Sequence, residues 1–291
     1  MKNENKLKDI VKDKYGQLVE DDAAGCGSCC GPSDSRNKVY NIMMDDYSST
    51  EGYLADADLG LGCGLPTAFA KIKPGDTVID LGSGAGNDCF VARHETGAEG
   101  KVIGIDFTPS MIQKARSHAE RHGFNNVEFR EGDIEDMPVN SNVADVMVSN
   151  CVLNLVPNKN RVISEIYRVL KPGGHFSISD IVLRGELPKS LQEDAEMYAG
   201  CVAGAIQQSE YLGLIEKQGF QNLSIQKEKP IQLPEDVLTA HLSPEEMTSY
   251  ESAGTGIYSI TVYAEKPADA SSTKEVDEAI QQETGGSGCC G

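Results

Sequence analysis

Thr77-Val78-Ile79-Asp80-Leu81-Gly82-Ser83-Gly84-Ala85-Gly86, TVIDLGSGAG, is the stretch whose reading decides the fold. Val78, Ile79 and Leu81 form a short apolar run of strand type, and the glycine-rich residues after it form a tight turn that opens a helix. Glycine at such a turn lets the backbone approach a ligand with no side chain between them. A second strand, Lys101 to Asp106, ends in an acid 20 residues beyond Gly86. That distance suits a β-α-β unit whose second strand offers a carboxylate to ribose hydroxyls. Strand, glycine turn, helix and terminal acid together favour a nucleoside-binding unit.

Outward from this unit the chain alternates. Strands are expected at Thr77–Leu81, Lys101–Asp106, Val127–Glu131, Val143–Ser149 and His175–Val182. Helices are expected between them at Asn87–His94, Pro109–His122 and Lys159–Leu170. Pro109 suits a first helical turn and Gly123 a helix stop. This alternation predicts a doubly wound, mostly parallel α/β sheet. A helix over Pro188 to Ala205, another over Ser209 to Lys217, and strands at Phe220–Lys227 and Tyr258–Ala264 follow.

Upstream, Leu7, Ile10, Val11, Tyr15, Leu18 and Val19 recur at helical spacing, which predicts an amphipathic helix that docks on the core or covers a site. The domains are therefore expected as 1–72, a helix and cysteine-bearing loops; 73–229, the cofactor-binding domain; 230–266, a small C-terminal α+β subdomain; and 267–291, a disordered tail.

The 291 residues carry a formal charge of −19, so a nucleic-acid partner is not expected: its phosphates would be repelled. No apolar run has transmembrane length and the polar N-terminus does not read as a signal peptide, so the expectation is a cytoplasmic protein with no membrane partner. Nine cysteines are unusual in a reducing compartment, which points to thiol chemistry. Cys151 follows the fourth strand, where ligands of open α/β sheets bind. Cys63 lies in a glycine turn before the sheet, Cys201 after Tyr198-Ala199-Gly200, and Cys26, Cys29 and Cys30 in a Gly/Ser/Pro loop. Cys89, on the first helix, reads as packing, and His94, His118 and His122 as helix-surface residues. Cys289 and Cys290 have no assigned role beyond metalloid capture or none.

The turn G-S-G-A-G lacks the third glycine of a dinucleotide site. With Gly132-Asp133-Ile134-Glu135 after the third strand and Lys171-Pro172-Gly173-Gly174 before the fifth, the ordered set resembles the class I S-adenosylmethionine methyltransferases over roughly Lys73 to Lys227. The resemblance implies that Gly82, Gly84 and Gly86 hold the methionine portion of S-adenosylmethionine, that Asp106 binds the ribose, and that Asp133 with Ile134 lies by the adenine. Asp80 is expected at the methionine amine, and Ser83, Asn87 and Asn150 join the expected cofactor-binding set. Met111 either packs on adenine or is an ordinary helix-face residue.

A closer resemblance rests on three cysteine motifs: Leu61-Gly62-Cys63-Gly64-Leu65-Pro66, Ser149-Asn150-Cys151-Val152-Leu153-Asn154-Leu155, and Tyr198-Ala199-Gly200-Cys201-Val202-Ala203-Gly204-Ala205. With Lys12-Asp13-Lys14-Tyr15-Gly16 and Ser28-Cys29-Cys30-Gly31 they resemble the bacterial branch of the arsenite methyltransferases. The family implies that Cys63, Cys151 and Cys201 bind trivalent arsenic as substrate. It also implies that Cys29 or Cys30 takes part in disulfide exchange, with an external reductant such as thioredoxin or glutathione.

The chemistry agrees. Trivalent arsenic is soft and selects thiolates. With three sulfurs bound, its lone pair points away from them, and an in-line methyl transfer then needs positioning but no general base. Two rivals stand beside this reading. One is a class I methyltransferase for an organic acceptor, indifferent to Cys63→Ser; the other is a thiol-based metalloid-sequestering protein that releases no methylated product.

Overall fold

The computed structural model describes residues 8–13, 15–17, 45–186, 202, 204–231, 238–239, 242–252 and 256–268. Seven strands form one sheet: β1 (Thr77–Leu81), β2 (Lys101–Asp106), β3 (Val127–Glu131), β4 (Ala144–Asn150), β5 (Leu170–Arg184), β6 (Gln221–Ile231) and β7 (Gly256–Glu265). The helices are α1 (Asn87–Thr96), α2 (Pro109–Arg121), α3 (Lys159–Val169), α4 (Gln208–Lys217) and α5 (Pro244–Ser252). The strand order is β3-β2-β1-β4-β5-β7-β6, with β1 to β5 parallel and β7 antiparallel to both its neighbours.

Strand alternation builds two apolar layers. Ile79, Ile103, Met147 and Phe176 pack on one face with Val162, Ile163 and Ile166 of α3. Val78, Val102, Val146 and Val148 pack on the other with Phe90 of α1, Ile112 and Ala115 of α2, and Phe129. The chain turns to β2 on one side of β1 and to β4 on the other. The crevice at the carboxyl ends of β1 and β4 is therefore the topological switch point of the sheet.

β1, β2 and β3 have the bounds expected from the pattern. α1 runs two residues further than expected, to Thr96, and β5 extends from Leu170 to Arg184. The expected boundary at 229/230 falls inside β6. Pro230 pairs with Tyr258, and a proline is tolerated there because β6 is the sheet's edge strand. The segment after it, expected as a small subdomain, returns β7 into the same sheet, paired with β5 from His175↔Glu265 to Arg184↔Gly256.

Leu65–Lys71 holds one 3-10 turn at Thr67–Phe69. Most of the helix expected over 188–205 lies outside the described residues; Val202, Gly204 and Ala205 are not helical. His118 is buried, not at the surface: it lies on the inner face of α2, its ring 6.4 Å from that of Phe90. The expected tail, 267–291, lies outside the described residues from 269 onward.

Candidate active site

The glycine turn begins where β1 ends. Gly82 has φ 68°, and a β-carbon there would stand 2.4 Å from Val152, so both the backbone and the space demand glycine. Gly86, at φ 100°, precedes α1, and a β-carbon there would meet Phe129 at 2.8 Å. The turn is fastened to β2 by Asp106, which accepts the Gly84 amide at 3.0 Å and the Thr108 amide at 2.8 Å. Its carboxylate is thus held in place beside the turn before any ligand arrives.

Among the described residues, the cavity at this point is lined by Asp45, Asp58, Asp80, Asp88 and Asp106 and by no lysine, arginine or histidine. Asp80 is buried and accepts the Cys89 thiol at 3.3 Å. Burial first, then the charge of Asp88, holds its carboxyl well above the usual range. Burial also raises Asp88 to about 6, against the hydrogen bonds of Tyr47 (2.7 Å) and Asn150 (3.2 Å), which favour its charged form. A site that strains to keep these carboxylates ionised favours a ligand carrying positive charge. Ser83 Oγ and Asn87 Oδ1 are buried with no hydrogen-bond partner among the described residues, and both residues line the cavity. The residues therefore fit S-adenosylmethionine, with its sulfonium and ammonium cations.

Asn150 does a second job. Its Oδ1 accepts the Cys63 amide at 2.9 Å and the Gly64 amide at 3.3 Å, and its Nδ2 donates to the Gly64 carbonyl at 2.9 Å. The Cys63 carbonyl accepts Ser259 Oγ at 2.6 Å and the Pro66 carbonyl accepts Ser177 Oγ at 2.7 Å. The cysteine loop is thus pinned across the ends of β4, β5 and β7. Cys63 and Cys151 are both buried in one apolar cluster with Leu155, Ile181, Leu183 and Val202, and Cys151 lines the cavity. Cys201, Cys29 and Cys30 lie outside the described residues, though Val202 places the neighbour of Cys201 in that same cluster.

Met111 is buried in the cavity wall, its sulfur 4.0 Å from where a Gly84 β-carbon would stand. Asp133 lies in an adjoining hollow that shares Phe107 with the main cavity, and it is ion-paired to Lys8 at 2.6 Å. The Ile134 side chain packs in the core and does not line either hollow. Val11 and Tyr15, from the N-terminal helical segment, close the cavity, as their four-residue spacing allowed. Asp88, Tyr47 and Phe107 were not singled out from sequence for this site. Asp88 sits in the first turn of α1, next to Asn87, whereas Tyr47 carries no local signal.

The family model for a methyltransferase domain matches residues 72–219. An arsenite methyltransferase of Halobacterium salinarum is 39% identical over 274 residues, 90% of this chain and 67% of the relative. One from Aquipseudomonas alcaligenes is 39% identical over 244 residues, 81% of this chain and 68% of the relative. The chain belongs to the arsenite methyltransferase family.

Among solved structures, an arsenic(III) S-adenosylmethionine methyltransferase from Chlamydomonas reinhardtii superposes with a TM-score of 0.61 at 30% identity. The match covers 81% of this chain and 75% of that one. As a member of the arsenite methyltransferases, the chain is a methyltransferase whose methyl donor is S-adenosylmethionine. Cys89 packs in the core with Val78, Phe90 and Val148, as read from sequence, and donates its thiol to Asp80, which lines the cavity.

Proposed function

We propose that this chain transfers methyl groups from S-adenosylmethionine to trivalent arsenic (arsenite and methylarsenite) held by the thiols of Cys63, Cys151 and Cys201. The observation that carries the reading is the junction of two unlike regions. The apolar cluster that holds both Cys63 and Cys151 abuts, at Cys151, a cavity whose described wall contains five carboxyl groups and a glycine turn. Thiols suit a soft trivalent centre, and the carboxylates suit a cationic methyl donor.

Bound S-adenosylmethionine supplies an electrophilic methyl carbon. Asp80 and Asp88 favour its cationic groups, Asp106 takes the ribose, and Asp133 the adenine side. Cys63, Cys151 and Cys201 orient the substrate arsenic with its lone pair toward the donor, so alignment supplies the catalysis and no proton needs removing at the transfer step. Methylation formally oxidises arsenic by two electrons, from the trivalent to the pentavalent state. The proposed return to the trivalent state oxidises a dithiol that includes Cys29 or Cys30 to a disulfide, and an external thiol of the thioredoxin or glutathione class reduces it again.

The test is incubation of the purified chain with S-adenosylmethionine, arsenite and excess thiol, with the arsenic species separated by mass-detected chromatography. Methylated arsenic is expected from the wild type and not from Cys151→Ser. Cofactor binding without any methylated arsenical would overturn the reading in favour of an organic acceptor. Arsenite binding without product would favour sequestration.

A further inference from the structure

Asp180 lies one residue beyond the last β4–β5 pair, Asn150↔Ser179, and is fully buried. A carboxyl inside β5 costs free energy that a valine in the same place would not. What passes over it is the turn that carries Cys151. Cys151 leaves β4 at φ 62°, a left-handed conformation that a residue with a β-carbon adopts only where its surroundings impose it.

The turn is fastened to β5 at successive residues. The Cys151 amide donates to the Ser179 carbonyl at 2.8 Å, the Leu153 amide faces the Asp180 carboxyl, and Asn154 Nδ2 donates to the Ile181 carbonyl at 2.6 Å. Asp180 Oδ1 accepts the Ile181 amide at 2.9 Å. Tyr211 of α4 sets its hydroxyl against the same carboxyl, and the charge of Lys159, from α3, also acts on it. Lys159 Nζ in turn donates to the Gly204 carbonyl at 2.9 Å, in the segment that follows Cys201. Asp180 Oδ2, Asn154 Oδ1 and Tyr211 Oη are buried and complete no hydrogen bond of ordinary geometry among the described residues. Tyr211 lies within electrostatic reach of Cys63, Cys151 and Asp180, so this polar cluster and the thiols share one neighbourhood.

We propose that Asp180 is a positioning residue for the arsenic site: its buried carboxyl, with Asn154, holds the turn after β4 so that the Cys151 thiol stands at the cavity wall beside the Cys63 loop. The inference rests on the proposed function, because it takes Cys151 as an arsenic ligand. Without the carboxyl, the left-handed Cys151 relaxes and its thiol leaves the geometry that a second thiol must share. Binding of arsenic suffers first, while the cofactor cavity, built by the turn after β1, is untouched.

The experiment compares full-length wild type, Asp180→Ala, Asp180→Asn and Cys151→Ser. Arsenite binding is measured by calorimetry and methylation by steady-state kinetics, with S-adenosylhomocysteine binding as the measure of an intact cofactor site. Asp180→Ala is expected to weaken arsenite binding and raise its KM by roughly tenfold, with little change in kcat at saturating arsenite and none in S-adenosylhomocysteine affinity. Asp180→Asn keeps the shape and one acceptor oxygen and is expected to restore most of the loss.

Arsenite binding lost in Cys151→Ser but unchanged in Asp180→Ala overturns this inference alone. Arsenite binding that does not need Cys151 overturns the ligand assignment and the inference with it. A fall in kcat at unchanged KM also overturns it. Should Asp180→Ala not fold, Asn154→Ala removes the Ile181 tie and is expected to raise the arsenite KM in the same way; an unchanged KM overturns the proposal.

Discussion

At the scale of single residues, Asn150 does more than its place in a motif suggests. One amide side chain satisfies two amides and a carbonyl of the cysteine loop and also donates to the Tyr47 hydroxyl at 2.7 Å and to Asp88. Removing it strands buried polar groups on both sides of the crevice, and each such group costs about 1–3 kcal/mol. Asn150→Ala is therefore expected to destabilise the fold by roughly 2 kcal/mol in urea unfolding, within that range. It is also expected to weaken arsenite and cofactor together, because the Cys63 loop and Asp88 share this clamp. Gly62→Ala attacks the same point from the loop side. Its β-carbon would stand 2.6 Å from Asn150 Nδ2, so the loop must lift and arsenite KM should rise; because Gly62 also lines the cofactor cavity, S-adenosylhomocysteine affinity should fall with it. Parallel calorimetric titrations of both variants check the joint loss.

At the scale of elements, the N-terminal helical segment is a wall of the cavity and not an appendage. Val11 is buried and lines the cavity, and Lys8, in the adjoining hollow, bonds Asp133 of that hollow and Glu135 just after it in sequence. Val11→Asp would add a sixth carboxylate to a cavity already lined by five. The expected result is a loss of S-adenosylhomocysteine affinity of roughly tenfold or more, together with a lower melting midpoint because Val11 also packs on Ile181 and Leu183 of β5 and Ile257 of β7. Affinity equal to wild type would show that the helix does not close the site. This element was legible from sequence because its pattern is local: a 3.6-residue period states which face is apolar. The same holds for β1 to β4 and the glycine turn, whose signals lie within a few residues. The positions of Tyr47 and β7 were not legible. Tyr47 meets Asp88 across 41 residues, and the insertion of β7 between β5 and β6 is set by pairing partners far away in the chain. Pro230 misled for a related reason, since a proline breaks a central strand but not an edge one. His118 misled because polarity alone does not say which helix face a histidine occupies.

At the scale of the whole molecule, the buried carboxylates set stability against function. Burial raises Asp88 to about 6 and Asp180 to about 7. A carboxyl whose folded value is raised binds more protons folded than unfolded, so its contribution to stability is full at low pH and is lost as pH rises through the folded value. Between pH 8 and pH 6 a group titrating near 7 shifts the folding free energy by about 1.4 kcal/mol, and for a chain of this size each kilocalorie moves the melting midpoint by roughly 2–4 °C. His118 works the other way, since burial lowers its value. Glu128, held down to about 2 by Arg130, titrates too low to matter in this window. The ligand-free protein is thus expected to melt higher at pH 6 than at pH 8, and Asp180→Asn to remove part of that slope, the raised Asp80 and Asp88 carboxyls keeping the rest. Cofactor affinity runs in the opposite direction, because protonating Asp88 removes a charge that favours the cationic donor. Below pH 6 S-adenosylmethionine should bind progressively more weakly in the wild type, and Asp88→Asn should bind weakly at every pH. Melting curves and calorimetric titrations over pH 5.5–8.5 decide it. A ligand-free melting midpoint that rises with pH would mean that these carboxyls are not the buried groups that govern the fold.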